Sequence, residues 1–237
     1  MNKIKLFCFP YAGGSAFVYN AWKKLLGPML ELRAVELAGR GIRISEPVYE
    51  SFEAMINDLF QTIKPELRSG RYALFGHSLG AAVCYQLIER IKEEGLPKPM
   101  HVFFSGRGAP HIPKKNKKTY HLMGAEEFKR EIFNLGGTPK EFFEHPELAE
   151  LLLPVLKNDF KMAHEFKAHS DICRYDGDIT VFLGKEDEAT PEQNDGWKDY
   201  TSQACQVIYF NGGHFFLNGE MERMAAYIKM ALMNTHH

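Results

Sequence analysis

Short apolar stretches alternate along the chain with longer segments whose apolar residues recur every three or four positions. Six stretches have the length and composition of buried strands: residues 4–10, 32–37, 72–75, 101–105, 179–184 and 206–210. Four segments are predicted helices: residues 19–26, 52–67, 79–94 and 219–233. Alternating strands and helices imply crossover connections and a mostly parallel sheet with helices on both faces. The pattern therefore predicts an α/β fold.

The alternation stops over residues 107–175, where the pattern is helical and no stretch resembles a strand. A capping box with proline at the first helical position, at residues 138–141, predicts a helix start. Residues 147–166 are apolar at helical spacing. Ligands of open α/β sheets bind beyond the carboxyl ends of the strands, so an insertion packed there can serve as a lid. We predict one domain over residues 1–237 whose segment 107–175 is a helical lid; a subdomain that only covers apolar surface is the alternative.

Composition and charge exclude several classes of protein. Hydrophobic residues make up 45% of the 237 positions and charged residues 25%, which is typical of globular chains. The formal net charge of −1 provides no overall positive field for nucleic acid or an anionic membrane. No apolar run approaches the roughly 20 residues of a membrane helix, and the first residues lack the apolar core of a signal peptide. Four scattered cysteines without CxxC spacing indicate a reducing compartment, so we expect a cytoplasmic protein.

The segment Gly76-His77-Ser78-Leu79-Gly80 has the GxSxG pattern of a nucleophile elbow. It follows a predicted strand and opens a predicted helix, which is the context that this motif requires. A serine on so tight a corner has a strained backbone, and the flanking glycines remove side chains that would collide. The corner also places the hydroxyl at a helix N-terminus, which favours developing negative charge. The sequence predicts that Ser78 is a nucleophile.

A serine hydroxyl is a weak nucleophile at neutral pH and needs a base. Among the ten histidines, His214 follows a predicted strand through Asn211-Gly212-Gly213 and precedes the last helix. The two glycines allow a sharp turn that brings the imidazole to the edge of the sheet where Ser78 lies. We therefore predict that His214 is the general base, the alternative being a solvated loop histidine.

The carboxylate that orients the imidazole is expected between Ser78 and His214 in the chain, at the carboxyl end of a strand. Glu186, Asp187 and Glu188 all follow the strand 179–184 directly. Asp187 is selected because aspartate is the commoner orienting residue in this arrangement. It would hold the neutral imidazole tautomer and stabilise the imidazolium without taking the proton.

An oxyanion hole needs two amides. The first is predicted to be the backbone N–H of Leu79, directly after the nucleophile, and the second is expected from the glycine-rich loop at residues 11–14. Such loops also cradle phosphates, but the chain has no GxxxxGK[ST] motif. In Gly39-Arg40-Gly41, Ile44 stands where a dinucleotide site would have its third glycine. Nucleotide binding is therefore not favoured.

Two further features carry weaker signals. His169 is five residues after His164 rather than the four of an HExxH motif, so no metal site is expected. The basic run at residues 114–118 contains four lysines and is interpreted as a solvated loop, with a docking patch for an acidic partner as the alternative.

Motifs spread over nearly the whole chain form a combination more specific than a catalytic triad. They lie at residues 9–15, 39–41 with Arg43 and 46–47, 76–80, 135–139, 154–159, 184–187 and 212–217. Together they resemble the type II thioesterases that accompany nonribosomal peptide and polyketide synthetases, over nearly the whole chain. Ala38 and Leu79 depart from that family's usual proline and methionine, and neither departure affects the predicted triad.

The resemblance implies an α/β-hydrolase fold and hydrolysis of misprimed or stalled acyl groups from carrier proteins. It implies that the lid accommodates the phosphopantetheine arm carried by the substrate, that no cofactor is needed, and that the amide of Ala12 completes the oxyanion hole. The expected partners are acyl or peptidyl carrier domains of a synthetase, and the chain is expected to be a monomer.

Triad chemistry by itself does not distinguish a thioester from an ester substrate. A carboxylesterase or lipase, or an acyltransferase that excludes water, is the enzymatic alternative. A hydrolase-fold protein that binds a ligand without turnover is the non-catalytic one.

Overall fold

The computed structural model describes residues 3–68, 71–113, 118–138, 144–166, 172–189 and 191–234. The described residues form a six-stranded sheet in the order β2-β1-β3-β4-β5-β6, and every neighbouring pair is parallel. The strands are β1 Ile4–Phe9, β2 Leu30–Ala34, β3 Tyr72–His77, β4 Val102–Ser105, β5 Ile179–Gly184 and β6 Cys205–Phe210. The predicted α/β class is confirmed.

Helices cover both faces of the sheet because strand side chains alternate between them. The helices are α1 Trp22–Leu26, α2 Phe52–Leu67, α3 Leu79–Glu93, α4 Ala125–Leu135, α5 Pro146–Glu165, α6 Pro191–Asp195 and α7 Met221–Asn234. Leu6 and Phe75 face a core that contains residues of α1 and α7. Phe7 and Leu74 face the opposite core, which contains residues of α2 and α3.

The second strand lies two to three residues earlier than the predicted segment 32–37. Its register with β1 runs from Ile4↔Leu30 to Cys8↔Ala34, and the Val35 N–H makes a last bond of 2.9 Å to the Cys8 carbonyl. Leu37 is buried in the core beside α2 instead of in the ladder. The apolar residues after Ala34 therefore reflect burial without strand pairing, which the pattern alone does not distinguish.

The strand order places the ends of β1 and β3 side by side. The chain moves from β1 outward to β2 and then returns to the other side of β1 to form β3. This reversal is the point at which open α/β sheets bind ligands. Phe9 of β1 is in register with Gly76 of β3, so the loop after β1 and the residue after β3 share this edge.

The insertion between β4 and β5 contains α4 and α5 and has a small core of its own, which includes Phe128, Ile132 and Leu156. Some predictions for this region lie outside the described residues: the helix start at residues 139–141, lysines 114, 115 and 117, and His169. The described part of the chain contains no helix long and apolar enough to cross a membrane.

Two buried histidines make the stability of the fold depend on pH. The Nδ1 atom of His77 lies 2.9 Å from the Ser105 hydroxyl, and Nε2 of His101 lies 2.8 Å from that of Thr180. Burial lowers the pKa of His77 to about 3 and that of His101 to about 4. The unfolded chain therefore binds more protons than the folded chain between about pH 4 and 6.5, and stability rises with pH in that window.

We expect the free energy of unfolding to be lower at pH 5 than at pH 7 by about 2 kcal/mol for each of these histidines. Urea unfolding at the two pH values measures the difference. His101→Gln should remove about half of it, because glutamine does not titrate. An unchanged pH difference in that variant would show that His101 is not held neutral by the fold.

Candidate active site

Ser78 lies on a strained corner between β3 and α3. Its φ of 55° and ψ of −105° make it the one non-glycine residue with positive φ in the described ranges. A Cβ on Gly76 would lie 2.0 Å from the Gly80 carbonyl oxygen, and one on Gly80 would lie 2.1 Å from that of Phe9. Both contacts are with backbone atoms, which could move away only at a considerable cost in free energy. The glycines of the motif therefore permit the corner that presents the Ser78 hydroxyl.

The loops after β5 and β6 bring a carboxylate and an imidazole to this hydroxyl. Nε2 of His214 lies 2.9 Å from Oγ of Ser78. Nδ1 of the same ring lies 3.0 Å and 3.2 Å from the two carboxylate oxygens of Asp187. A Cβ on Gly184 would lie 2.4 Å from the Gly213 carbonyl oxygen, so the two loops can approach this closely only because residue 184 is glycine.

Of the three acids that follow β5, only Asp187 is hydrogen-bonded to His214 in the described structure. Glu186 and Glu188 are exposed. The Glu188 backbone N–H donates to Asp187 Oδ1 at 2.8 Å and helps to fix the carboxylate. The three predicted residues Ser78, Asp187 and His214 thus lie together in one hydrogen-bonded chain.

The electrostatics suit a carboxylate that orients an imidazole. Burial raises the pKa of Asp187, but its hydrogen bond with His214, the charge of His214 and the Glu188 N–H outweigh that effect and leave the pKa below its ordinary value. Asp187 therefore stays ionised where an imidazole titrates. His77, with its ring centroid 5.3 Å from that of His214, remains neutral and adds no competing charge.

The two amides predicted for the oxyanion hole lie on adjoining segments. Leu79 is the first residue of α3, and Ala12 lies in the loop that follows β1, the strand paired with β3. In this loop the Gly14 N–H donates to the Tyr11 carbonyl at 2.9 Å. Within the described ranges, neither the Leu79 nor the Ala12 amide donates to a protein acceptor. Both are available to a developing oxyanion.

Sequence reasoning missed a buried ion pair beside the site. Arg40 and Asp159, 119 residues apart in the chain, are 5% and 0% exposed. The guanidinium makes two bonds to the carboxylate, Nη1 to Oδ2 at 2.5 Å and Nη2 to Oδ1 at 2.7 Å. The sequence shows Arg40 only within a glycine-rich turn and Asp159 only within a family motif. Nothing local signals that the two side chains meet.

A cavity of about 510 Å³ lies between the loop after β1 and the helical insertion. Its walls include Ala12 and Phe215 on the side of the candidate triad, and Leu152 and Leu156 of α5 on the other. The walls are mainly apolar, and the volume is within the range of small-molecule sites. The insertion thus covers a space lined on one side by Ala12 and by Phe215, the residue after His214.

The basic run predicted as a loop or docking patch is described only at Lys118. Its ammonium group lies 2.6 Å from the Glu131 carboxylate of α4. The lysine is therefore engaged within the insertion itself.

Comparisons with known proteins agree with this architecture. Residues 4–232 match the family model described as a thioesterase domain. Linear gramicidin dehydrogenase LgrE of Brevibacillus parabrevis is 36% identical over 236 residues, which cover 98% of this chain and 89% of the relative. That name denotes a dehydrogenase, whereas the matched family is that of thioesterases.

Solved structures give the same result. ClbQ from the colibactin NRPS/PKS pathway superposes with a TM-score of 0.92 at 31% identity and covers 98% of both chains. BorB, a type II thioesterase from the borrelidin biosynthetic cluster, superposes with a TM-score of 0.87 at 29% identity, covering 98% of this chain and 93% of its own. These matches confirm the resemblance found from the motifs.

Proposed function

The chain belongs to the thioesterase family, and from this membership we propose that it hydrolyses acyl groups from the phosphopantetheine arm of carrier proteins in a nonribosomal peptide or polyketide synthetase. The observation that carries the proposal is the chain of hydrogen bonds from Asp187 through His214 to Ser78. It ends at a hydroxyl on a corner with positive φ, and Phe215, the residue after His214, lines an apolar cavity. Nucleophile, base and orienting carboxylate are the parts that acyl transfer requires.

The first half of the reaction forms an acyl-enzyme. Oγ of Ser78 attacks the thioester carbonyl carbon while its proton moves to Nε2 of His214. The amides of Leu79 and Ala12 hold the oxyanion of the tetrahedral intermediate. The C–S bond then breaks, and the pantetheine sulfur leaves as a thiol with the proton from His214, or as a thiolate, in which case His214 gives up its proton to solvent before the second half. Asp187 stays ionised throughout and stabilises the imidazolium.

The second half consumes one water molecule. His214 takes a proton from water as the oxygen attacks the acyl carbon of the Ser78 ester. When the new tetrahedral intermediate collapses, the proton returns to Oγ of Ser78 and the carboxylic acid is released. No cofactor enters either half of this scheme. The helical insertion serves in it as the lid over the acyl-bearing arm.

Three substrates with the same acyl group test whether the protein prefers a carrier-bound thioester to an ester. They are an acyl-loaded carrier protein, an acyl-pantetheine and an aryl ester. We expect kcat/KM for the acyl-loaded carrier protein to exceed that for the aryl ester at least 100-fold, which corresponds to about 2.7 kcal/mol of transition-state binding. Acyl-pantetheine without the protein should fall between the two and separates recognition of the arm from recognition of the carrier. An aryl ester hydrolysed as well as the carrier would favour the esterase alternative.

The fate of the acyl group distinguishes hydrolysis from transfer. In water enriched in ¹⁸O, the released acid should contain one solvent oxygen for each turnover. Acyl transfer to an added alcohol or amine, without labelled acid, would instead identify a transferase that excludes water.

A further inference from the structure

We propose that Asp159 of α5 is a positioning residue that holds the oxyanion loop (residues 10–16) in its active geometry, so that this geometry depends on seating of the helical insertion. The proposal rests on the proposed function, because it concerns how the oxyanion hole at Ala12 is assembled. Its basis is a cluster of three charged side chains beneath the loop, Glu36, Arg40 and Asp159, here named the clamp.

The clamp holds the backbone of the loop at three places. The Gly13 N–H donates to Oδ2 of Asp159 at 2.7 Å. Nη1 of Arg40 donates to the Gly14 carbonyl at 3.1 Å. The Ala16 N–H donates to Oε1 of Glu36 at 3.0 Å. These contacts begin directly after Ala12, so they restrict the orientation of the peptide units next to the proposed oxyanion donor.

The Asp159 carboxylate is the only part of the clamp supplied by the insertion. Its neighbour on α5, Leu156, lies against the same loop: a Cβ on Gly13 would be 2.4 Å from Cδ1 of Leu156. Gly13 has a φ of +79°, a backbone conformation that other residues adopt only with strain. Residue 13 thus combines a left-handed backbone, a contact with the lid and a hydrogen bond to the lid.

The energetics of the pair favour a positioning role over a purely stabilising one. Desolvation of two ions offsets most of their attraction, and well-packed apolar residues often replace a buried pair without loss of stability. Here each partner makes one further hydrogen bond to the loop backbone, Asp159 as acceptor and Arg40 as donor. If α5 moved away, Gly13 would lose its acceptor and Arg40 its counter-ion together. The loop would then be free to leave the geometry that an oxyanion hole requires.

Asp159→Asn tests this coupling, because asparagine keeps one acceptor oxygen and nearly the same volume but removes the charge and the two-bond pairing with Arg40. We expect kcat to fall about 100-fold, as for a displaced or missing oxyanion donor, while KM changes less than threefold. The rate of Ser78 labelling by a fluorophosphonate should fall in parallel. Arg40→Lys, which keeps the charge but loses the two-bond geometry, should lower kcat about tenfold.

Lys161→Met is the matched control on the same helix. The Lys161 ammonium donates to the Glu50 carbonyl at 2.8 Å, a bond from α5 to the body of the protein that does not involve the oxyanion loop. Its kcat should stay within twofold of the wild-type value. All variants are assayed at one temperature, at least 20 °C below the lowest of their unfolding midpoints, so that partial unfolding does not contribute to the loss.

The outcomes separate this inference from the function on which it rests. A folded Asp159→Asn or Arg40→Lys protein with kcat within threefold of wild type would overturn the positioning role, as would an equal loss in Lys161→Met. Both comparisons can be made with an aryl ester as well as with the carrier. If the wild type cleaves the ester but not the carrier, the substrate proposal fails and the clamp is still tested. If the wild type neither turns over nor reacts with the fluorophosphonate, the proposed function itself fails.

Discussion

Replacement of Ser78 by alanine is expected to lower kcat for release of acid from an acyl-loaded carrier by about six powers of ten. The change removes the atom that His214 approaches at 2.9 Å and leaves no group that can form the acyl-enzyme. Binding should persist, because the cavity walls and the oxyanion amides are untouched. Acid release followed by chromatography measures the rate, and the dissociation constant of the carrier is measured separately.

Ser202→Ala provides the control for this substitution. Its hydroxyl lies 3.2 Å from Asp176, outside the candidate site. The variant should therefore retain the wild-type rate. Near-normal turnover by Ser78→Ala would refute the assignment of the nucleophile.

Asp187→Asn is expected to lower kcat by about four powers of ten while the fold remains intact. The asparagine amide can donate a hydrogen bond to Nδ1, which favours the tautomer with the proton on Nε2. That nitrogen then cannot accept the proton of Ser78. The rate constant for a single turnover of the acyl-loaded carrier measures the loss at the acylation step.

Glu188→Gln is the matched control for the charge of that loop. Its side chain is exposed, and only its backbone N–H contacts Asp187. We expect its kcat to stay within twofold of wild type. If both variants lost activity equally, the effect would come from net charge near the site and not from orientation of His214.

The parts of the site that lie next to one another in the chain are the parts that the sequence predicts well. The backbone strain at Ser78 and the need for glycine at positions 76 and 80 arise within five residues. The sheet is largely local in origin too, because its inner strands β3, β4 and β5 are short, mainly apolar and buried stretches. Its second strand was misplaced where Leu37 is buried without pairing.

Prediction was harder for residues whose role depends on which loops meet. Glu186 and Glu188 follow β5 as closely as Asp187 does, so position alone makes all three candidates for the orienting carboxylate. The chain order of the triad does not distinguish among them. The distinction comes from the tertiary geometry, in which the carboxylate of residue 187 is directed at Nδ1 of His214.

The clamp could not be predicted from the sequence for the same reason. Arg40 follows β2, whereas Asp159 lies in the middle of the inserted helix α5. An aspartate in a helix usually faces solvent and then has no special role. Only the structure shows that Asp159 is buried and needs a charged partner. The pairing is a consequence of where the insertion packs.

The most direct test of the account is to map the site of covalent modification after reaction with an alkyl fluorophosphonate. The wild-type protein should gain one phosphonyl group per chain, and peptide mass spectrometry should locate it on Ser78. Labelling should slow in Asp187→Asn and in Asp159→Asn, because the base and the oxyanion loop both act in this step. A protein that releases acid from the carrier while the label lies on another residue, or is absent, would contradict the central claim.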